Sequence, residues 1–233
     1  MKQDRVDIFV INLKQAPARL AFMQSQLGDG FERVEGVQGV NVPDFLKGQF
    51  GAELTPGEVG CYASHLVAAR TILERGLAHA VILEDDAQVE PDTWDAVADA
   101  VRFLSDWDVI GLSGAKQHPH RNVASLGARN LVRYSRFPKV TAGYVLSRAG
   151  CQKLLEPHLR SRPVDVDIRY GWEMGLNGYG IFPPPVRQAG GLGSSIPRSG
   201  QQRFYWRKAP LGYAWGRARE LAVFLRTRSA KVE

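Results

Sequence analysis

The stretch AVILEDD at residues 80–86 indicates the fold of this chain more directly than any other segment. Its four apolar residues are typical of a short strand buried on both faces, and the strand ends abruptly in Glu84, Asp85 and Asp86. Ligands of open α/β sheets bind at the carboxyl ends of strands, so these three carboxylates are expected at a binding site. Strand alternation predicts that Glu84 and Asp86 share one side, with Asp85 turned away.

A cation would explain three adjacent acids, because like charges repel one another unless something neutralises them. Hard oxygen ligands favour Mg²⁺ or Mn²⁺, ions that keep several waters and bridge phosphates. A solvated acidic turn before the next helix explains the same residues equally well. The local pattern leaves both interpretations open.

Strands and helices alternate on either side of this stretch, which predicts an α/β domain with a mainly parallel central sheet flanked by helices. Residues 31–54 are rich in glycine and indicate a loop with at most one short strand. The other predicted elements are strands at 6–12, 108–113 and 140–146, and helices that begin at Pro17, after Thr55, after Asp92 and after Ser147.

The helix after Thr55 has a strong start signal, since Thr55 can cap it, Pro56 suits its first position and Glu58 can bond back to the cap. His65 lies four residues after Cys61 and seven after Glu58, so the three can share one helix face. Cys61 and His65 alone would be half a zinc site, and the sequence offers no second pair at ligand spacing. The simpler interpretations are a capping box, a hydrogen-bonded histidine and a small buried cysteine.

Two further segments carry weaker signals. PVDVD at residues 163–167 places Asp165 and Asp167 on one side of what is predicted to be an extended segment, where either could act as a general base or serve a structural loop. GGLGSS at 190–195 could lay backbone N–H groups against a phosphate, although a hinge is the favoured interpretation.

Composition excludes several classes. The chain has 233 residues, 44% of them hydrophobic and 23% charged, which is ordinary globular usage and excludes wholesale disorder. Apolar runs are too short to span a membrane, the first residues do not resemble a signal peptide, and two cysteines cannot form a disulfide framework. We therefore expect a cytoplasmic protein, with peripheral attachment to the inner face of the membrane as a further expectation.

The net charge of +6 is concentrated in the C-terminal tail. Residues 198–233 contain nine Lys or Arg and two acids, whereas the preceding 197 residues contain 21 basic and 22 acidic residues. A neutral body argues against nucleic acid as a partner. Residues 211–228 of the tail predict an amphipathic helix with arginines, which would either lie on an anionic membrane surface or pack on the body.

Taken in order, these segments resemble glycosyltransferase family 25, the lipopolysaccharide-type galactosyltransferases related to collagen galactosyltransferases. The resemblance covers roughly residues 6–197, so one catalytic domain is expected at 1–197 and a basic tail at 198–233. The matching segments are IFVINL (8–13) followed by Arg19, FERVEGVQG (31–39), LTPGEVGCYASH (54–65), ILEDD (82–86), AGYVLSRAG (142–150), PVD (163–165) and SSI (194–196).

The resemblance implies a GT-A-like single domain that transfers a hexose, galactose in preference to glucose, from a UDP-sugar to a saccharide or lipid-linked saccharide acceptor with inversion. It implies that Glu84 and Asp86 hold a divalent cation, Mn²⁺ or Mg²⁺, at the donor diphosphate. Asp165 is the first choice for the catalytic base and Asp167 the second, with Glu173 a further candidate. The implied donor-binding residues are Asn12, Arg19, Glu58, Ser64, His65 and Asp85.

Two other classes of function stay open. A non-catalytic basic protein would use the tail on a membrane or on nucleic acid and would lose its function when the tail is removed. A metal-dependent phosphohydrolase would cleave a nucleotide sugar without an acceptor, but such a site usually needs more His and Asp ligands than this sequence offers. Residues 116–138 resemble no known segment, and acceptor specificity is expected there.

Overall fold

The computed structural model describes residues 6–114, 118–139, 141–190 and 209–227. The helices in these ranges are α1 (Pro17–Leu27), α2 (Pro56–Glu74), α3 (Thr93–Phe103), α4 (Arg148–Leu155), α5 (Val164–Arg169) and α6 (Pro210–Arg226). The strands are β1 (Ile8–Asn12), β2 (Glu32–Glu35), β3 (His79–Glu84), β4 (Ala87–Val89), β5 (Val109–Gly111), β6 (His120–Leu126), β7 (Arg129–Tyr134), β8 (Gly143–Ser147), β9 (Gly178–Phe182) and β10 (Val186–Gln188).

Eight strands form one mixed sheet in the order β2-β1-β3-β8-β5-β9-β7-β6, and β4 pairs with β10 in a small second sheet. The pairs β1–β2, β1–β3 and β5–β9 are parallel, whereas β8 runs antiparallel between β3 and β5. The predicted α/β fold with helices around a central sheet is confirmed. Parallel pairing places the carboxyl ends of β1 and β3 side by side, with Ile11 opposite Glu84.

Strand β3 is buried on both faces, as its apolar run predicts. Ala80 and Ile82 pack with side chains of α2 and α4, whereas Val81 and Leu83 pack with side chains of α1 and α3. All four are completely buried. Because side chains alternate between the two faces of the strand, the helices on each face pack against a different set of β3 side chains.

Helix α2 begins with the predicted capping box. The Thr55 side chain accepts a hydrogen bond from the backbone N–H of Glu58, and the Glu58 carboxylate accepts one from the N–H of Thr55 at 2.8 Å. These reciprocal bonds satisfy two of the donors that a helix start otherwise leaves open. The start of α2 is thereby fixed at Pro56.

The segment at residues 163–167 is helical, and the prediction of an extended segment is wrong. The carbonyl of Pro163 accepts hydrogen bonds from the N–H groups of Val166 and Asp167, which starts α5. Asp165 and Asp167 consequently lie on different faces of a helix instead of one side of a strand. The alternation of valine and aspartate imitates a strand, whereas acids in a first turn favour a helix start.

Other differences fall in the second half of the chain. Residues 120–134 form the β6–β7 hairpin, with Gly127 at φ +68° in its turn, where no element was predicted. The predicted strand at 140–146 is β8, which begins at Gly143, and residue 140 lies outside the described residues. The segment 191–208, with most of the glycine-rich stretch, lies outside them too. None of the described helices is both long and apolar enough to cross a bilayer.

Candidate active site

A cleft of about 320 Å³ opens where the carboxyl ends of β1 and β3 meet the first turns of α2. The loop at residues 36–40 forms another wall, and glycines let it approach the helix closely. A Cβ on Gly39 would lie 1.7 Å from the carbonyl oxygen of Pro56, and one on Gly60 would lie 2.5 Å from that of Val37. A second cavity, of about 360 Å³, lies beneath α6 and is lined by none of the predicted site residues.

Asp85 is fully paired at the edge of this cleft. Asn12 Nδ2 donates to one carboxylate oxygen at 2.7 Å, and Arg19 Nη1 donates to the other at 2.5 Å. The same guanidinium reaches Asp86 through Nη2 at 3.1 Å. Asn12, the last residue of β1, and Arg19, in α1, are thus joined to the acidic residues that follow β3.

The predicted grouping of Glu84 with Asp86 on one side, with Asp85 turned away, is wrong. Arg19 contacts Asp85 and Asp86 together, whereas Glu84 lies against α2 with an oxygen 3.5 Å from His65 Nε2. The strand ends at Glu84 and the chain turns there, so alternation no longer applies to the two residues that follow.

The electrostatics of the three acids differ. Burial and the charge of Glu84 raise the pKa of Asp86 to about 6, although Arg19 opposes the shift. Burial also raises the pKa of Asp85, against the hydrogen bond from Asn12 and the charge of Arg19. Burial works to raise the pKa of Glu84, but contacts with His65, Thr141 and Arg19 outweigh it and hold that pKa below its usual value.

One carboxylate oxygen of Asp86 is available to a bound cation. Asp86 Oδ1 is buried and has no hydrogen-bond partner among the described residues. The charge of Glu84 helps to raise the pKa of Asp86, as expected for two neighbouring carboxylates that repel each other. A divalent ion would relieve both costs, since it satisfies the open oxygen and neutralises the repulsion.

The predicted donor-binding residues of α2 differ in position. His65 and Ser64 line the cleft, whereas the Glu58 carboxylate is occupied by the cap of Thr55. Ser64 Oγ accepts a hydrogen bond from the N–H of Val37 at 2.8 Å and donates to the carbonyl of Gly60 at 2.7 Å. Ser64 therefore holds the loop at 36–40 against the helix.

The two aspartates of α5 have different surroundings. Asp167 is buried, and its oxygens accept hydrogen bonds from Tyr62 Oη at 2.9 Å and Arg162 Nε at 2.5 Å. Burial raises the pKa of Asp167 above its usual value, although Arg162 and Tyr62 act in the opposite direction. Asp165 keeps 26% of its side chain exposed and pairs with Lys139 at 3.0 Å. Glu173 pairs with Arg162 at the surface.

Asp165 borders the same region as the acidic strand end. It lines a depression together with Thr141, and Thr141 contacts Glu84. Its charge also contributes to raising the pKa of Cys61, which lines the cleft. Of the two aspartates, Asp165 is therefore the one that combines an exposed oxygen with proximity to the cleft.

Sequence reasoning missed two contributors. Tyr144, in β8, places its hydroxyl 2.9 Å from His65 Nδ1. Cys61, interpreted as a small buried residue, is half-buried at the cleft, close to His65 and Glu84. The spacing of Cys61 and His65 was visible in the sequence, but the approach of Glu84 depends on how the sheet packs against α2.

Comparison with known proteins gives one family. Residues 6–168 match the family model described as glycosyltransferase family 25 (LPS biosynthesis protein). The chain is 32% identical over 181 residues to a rat protein named probable inactive glycosyltransferase 25 family member 3, a match that covers 68% of this chain and 32% of the relative. It is also 32% identical over 184 residues to procollagen galactosyltransferase 1-A of Xenopus laevis, covering 68% of this chain and 30% of the relative.

These relatives are much longer proteins. The matched part of this chain spans about a third of the length of each, so their full activities do not transfer with the match. Their names also include both a galactosyltransferase and a protein called inactive. The comparison therefore establishes a family whose members differ in whether they catalyse transfer.

Proposed function

The chain belongs to glycosyltransferase family 25, and we propose that it transfers a hexose, with galactose preferred, from a UDP-sugar to a saccharide acceptor of a cell-surface glycan such as lipopolysaccharide. The observation that carries the proposal is the cleft at the ends of β1 and β3, which Glu84 and Asp85 line and beside which Asp86 follows with a buried oxygen, Oδ1, that has no hydrogen-bond partner among the described residues. We further propose a GT-A-type fold for residues 1–197.

Glu84 and Asp86 would hold the divalent cation, Mn²⁺ or Mg²⁺, which neutralises the negative charge of the leaving diphosphate. Asp85 is held by Asn12 and Arg19, so its carboxylate is oriented before any donor binds. Preorganised polar groups lose little freedom on binding, which favours donor affinity. Ser64 contributes by fixing the loop wall at residues 36–40.

Asp165 is the proposed base that removes the proton of the acceptor hydroxyl. It is half-buried, whereas both oxygens of Asp167 are occupied by Tyr62 and Arg162. A base must reach the hydroxyl directly or through one water, which requires an accessible oxygen. Lys139 pairs with Asp165 at 3.0 Å and would hold its carboxylate in place.

We also propose that the tail meets an anionic membrane surface on the cytoplasmic side. One side of α6 packs on the body, where Gly216 lies against the ring of Trp172. The other side exposes large apolar residues, among them Leu211 at 86% and Trp215 at 63%. Such a surface, with arginines beside it, suits a lipid interface. We expect the protein to sediment with anionic vesicles but not with neutral ones. Trp215→Ser should abolish this sedimentation.

Calorimetry with UDP-galactose, UDP-glucose and UDP, each with and without Mn²⁺, tests the donor site. We expect metal-dependent binding that is lost in Asp86→Ala and retained in Asp44→Ala, a control in which the acid removed is 92% exposed. Turnover that requires a saccharide acceptor then distinguishes a transferase from a phosphohydrolase, which releases the sugar to water. Binding without turnover would instead place the chain with the relatives named inactive, and no nucleotide binding would overturn the proposal.

A further inference from the structure

A sulfur, an imidazole and a carboxylate converge in the cleft from two distant segments of the chain. Ligand atoms of Cys61, His65 and Glu84 all lie within 4.8 Å of one another. Cys61 and His65 are one turn apart on α2, and Glu84 is the last residue of β3. We propose that these three side chains bind a zinc ion, with a donor set that differs from the two carboxylates assigned to the cation of the nucleotide sugar.

His65 has the orientation of a metal ligand. It is 1% exposed, and its Nδ1 lies 2.9 Å from Tyr144 Oη. Its Nε2 faces Glu84 at 3.5 Å and has no hydrogen-bond partner among the described residues. Metal binding would require that Nδ1 carries the proton and donates to Tyr144, so that the lone pair of Nε2 is left for the ion. Hydrogen bonding of the second ring nitrogen is the usual way that a protein orients a ligating histidine.

The distances require little movement. Tetrahedral zinc with bonds of about 2.0–2.3 Å separates its ligand atoms by roughly 3.2–3.8 Å. The separation of 3.5 Å between His65 Nε2 and Glu84 is already in that range. The remaining separations, which involve Cys61 Sγ and are at most 4.8 Å, must close by up to about 1.3 Å, because a sulfur and a nitrogen or oxygen on one zinc ion lie about 3.5 Å apart. All three residues line the cleft, so an ion can enter and a water can take the fourth position.

The chemistry of the donors selects zinc over Mg²⁺ or Mn²⁺. Thiolate and imidazole are softer ligands than carboxylate and favour zinc. Thiolate and carboxylate together neutralise the ion's two charges. The Cys61 thiol must lose its proton to become a zinc ligand. Binding replaces the S–H bond with an S–Zn bond and releases one proton to solvent, without any redox change.

Glu84 belongs to both proposed sites, so zinc and the cation of the donor should exclude each other. Zinc should then inhibit transfer in competition with Mn²⁺, a consequence that rests on the proposed function. Zinc binding itself does not rest on it, because it requires only the three side chains. The two ideas can therefore fail separately.

Cobalt(II) is the probe for the site, because its bond to a thiolate absorbs in the near ultraviolet whereas its bonds to carboxylates do not. We expect wild type to show this band at one Co²⁺ per chain, and stoichiometric Zn²⁺ to bleach it. Cys61→Ser should abolish the band and weaken Zn²⁺ binding by more than the ~10–100-fold that changes around a ligand shell cost. Cys151→Ser, which removes the other cysteine, is the matched control and should keep the wild-type cobalt band and Zn²⁺ affinity.

A second measurement uses wild type alone and does not depend on how a variant folds. Alkylation followed by mass spectrometry should show that Zn²⁺ slows modification of Cys61 and leaves that of Cys151 unchanged. No thiolate band, a band unchanged in Cys61→Ser, or equal alkylation with and without Zn²⁺ would each overturn the zinc site. Metal-dependent binding of UDP-galactose could persist in all of these cases, which separates this failure from failure of the proposed function.

Discussion

Arg19 Nη1 lies 2.5 Å from Asp85 Oδ1, in a pair whose side chains are only 15% and 8% exposed. The same guanidinium contacts Asp86, so one cation from α1 balances two buried acids. Because this pair links α1 to the end of β3, it connects folding stability with the arrangement of the donor site.

Arg19→Met should destabilise the protein by about 3 kcal/mol at pH 7.5, since it leaves two buried carboxylates without their cation. The folded-state pKa values of Asp85 and Asp86 already lie above their usual values, and that of Asp86 is about 6. Ionisation of such groups in the folded protein lowers the free energy of unfolding, and this loss shrinks progressively as pH falls below the folded pKa. The stability gap between variant and wild type should therefore shrink from pH 7.5 to pH 5 in urea unfolding.

Arg102→Met is the control for this experiment. Arg102 also pairs with an aspartate, Asp99, but at the surface, with 74% and 46% of the side chains exposed. An exposed pair contributes about 0–1 kcal/mol. A similar loss in both variants, or a gap for Arg19→Met that does not change with pH, would contradict the assignment of Arg19 as the counter-ion of these acids.

Asp165→Asn and Asp167→Asn should separate catalysis from stability. Asp165→Asn should lower kcat by about 10²–10⁴-fold, the usual contribution of a general base, with the free energy of unfolding unchanged. Asp167→Asn should cost about 1–3 kcal/mol of stability, because it disturbs the buried hydrogen bonds with Tyr62 and Arg162. Turnover of UDP-galactose with a panel of free saccharides and urea unfolding measure the two effects. Full activity in Asp165→Asn would exclude it as the base.

Local patterns were enough to predict the elements that build the cleft. The apolar run before Glu84 predicted β3, and the capping box of Thr55 and Glu58 predicted the start of α2. Both signals act within a few residues, so they can be recognised without knowing the fold. The roles assigned to Asp165 and to the donor-binding residues stay predictions.

Contacts between distant segments could not be predicted in this way. Arg19 pairs with Asp85 and Asp86 because parallel pairing of β1 and β3 brings the two strand ends together. The approach of Glu84 to Cys61 and His65 likewise depends on how α2 packs on the sheet. In α5, a strand-like alternation of side chains concealed a helix that backbone hydrogen bonds to Pro163 begin.

Gly39→Ala should disturb the loop wall of the cleft. Its Cβ would lie 1.7 Å from the carbonyl oxygen of Pro56, which is backbone and cannot rotate away. We expect a loss of about 1–3 kcal/mol from overpacking and weaker UDP binding, since the hydrogen bond from Val37 to Ser64 should lengthen. Gly212→Ala is the control, because its nearest neighbour would be 3.9 Å away and alanine favours a helix. Unchanged UDP affinity in Gly39→Ala would show that the loop does not contribute to the donor site.

Ionisation of the Cys151 thiol in the unfolded chain should lower the free energy of unfolding at alkaline pH. Burial raises its pKa from 9.0 to about 12, so the unfolded chain loses the thiol proton first as pH rises. A group whose folded pKa is raised stabilises the protein below its unfolded pKa, and this contribution is lost as pH rises through about 9 to 12. At pH 10 the loss attributable to this thiol is about 1.4 kcal/mol.

Cys151→Ala removes that titration, and the measurement is the free energy of unfolding of both proteins at pH 8 and pH 10. Burial alone raises the pKa of Tyr134 to about 12, so this tyrosine contributes equally to both proteins. The variant should lose some stability at pH 8, because Cys151 is completely buried and alanine is smaller. Its further loss between pH 8 and pH 10 should be smaller than that of wild type by about 1 kcal/mol. Equal losses would mean that the thiol ionises as readily in the folded protein as in the unfolded chain, and they would contradict a raised pKa for Cys151.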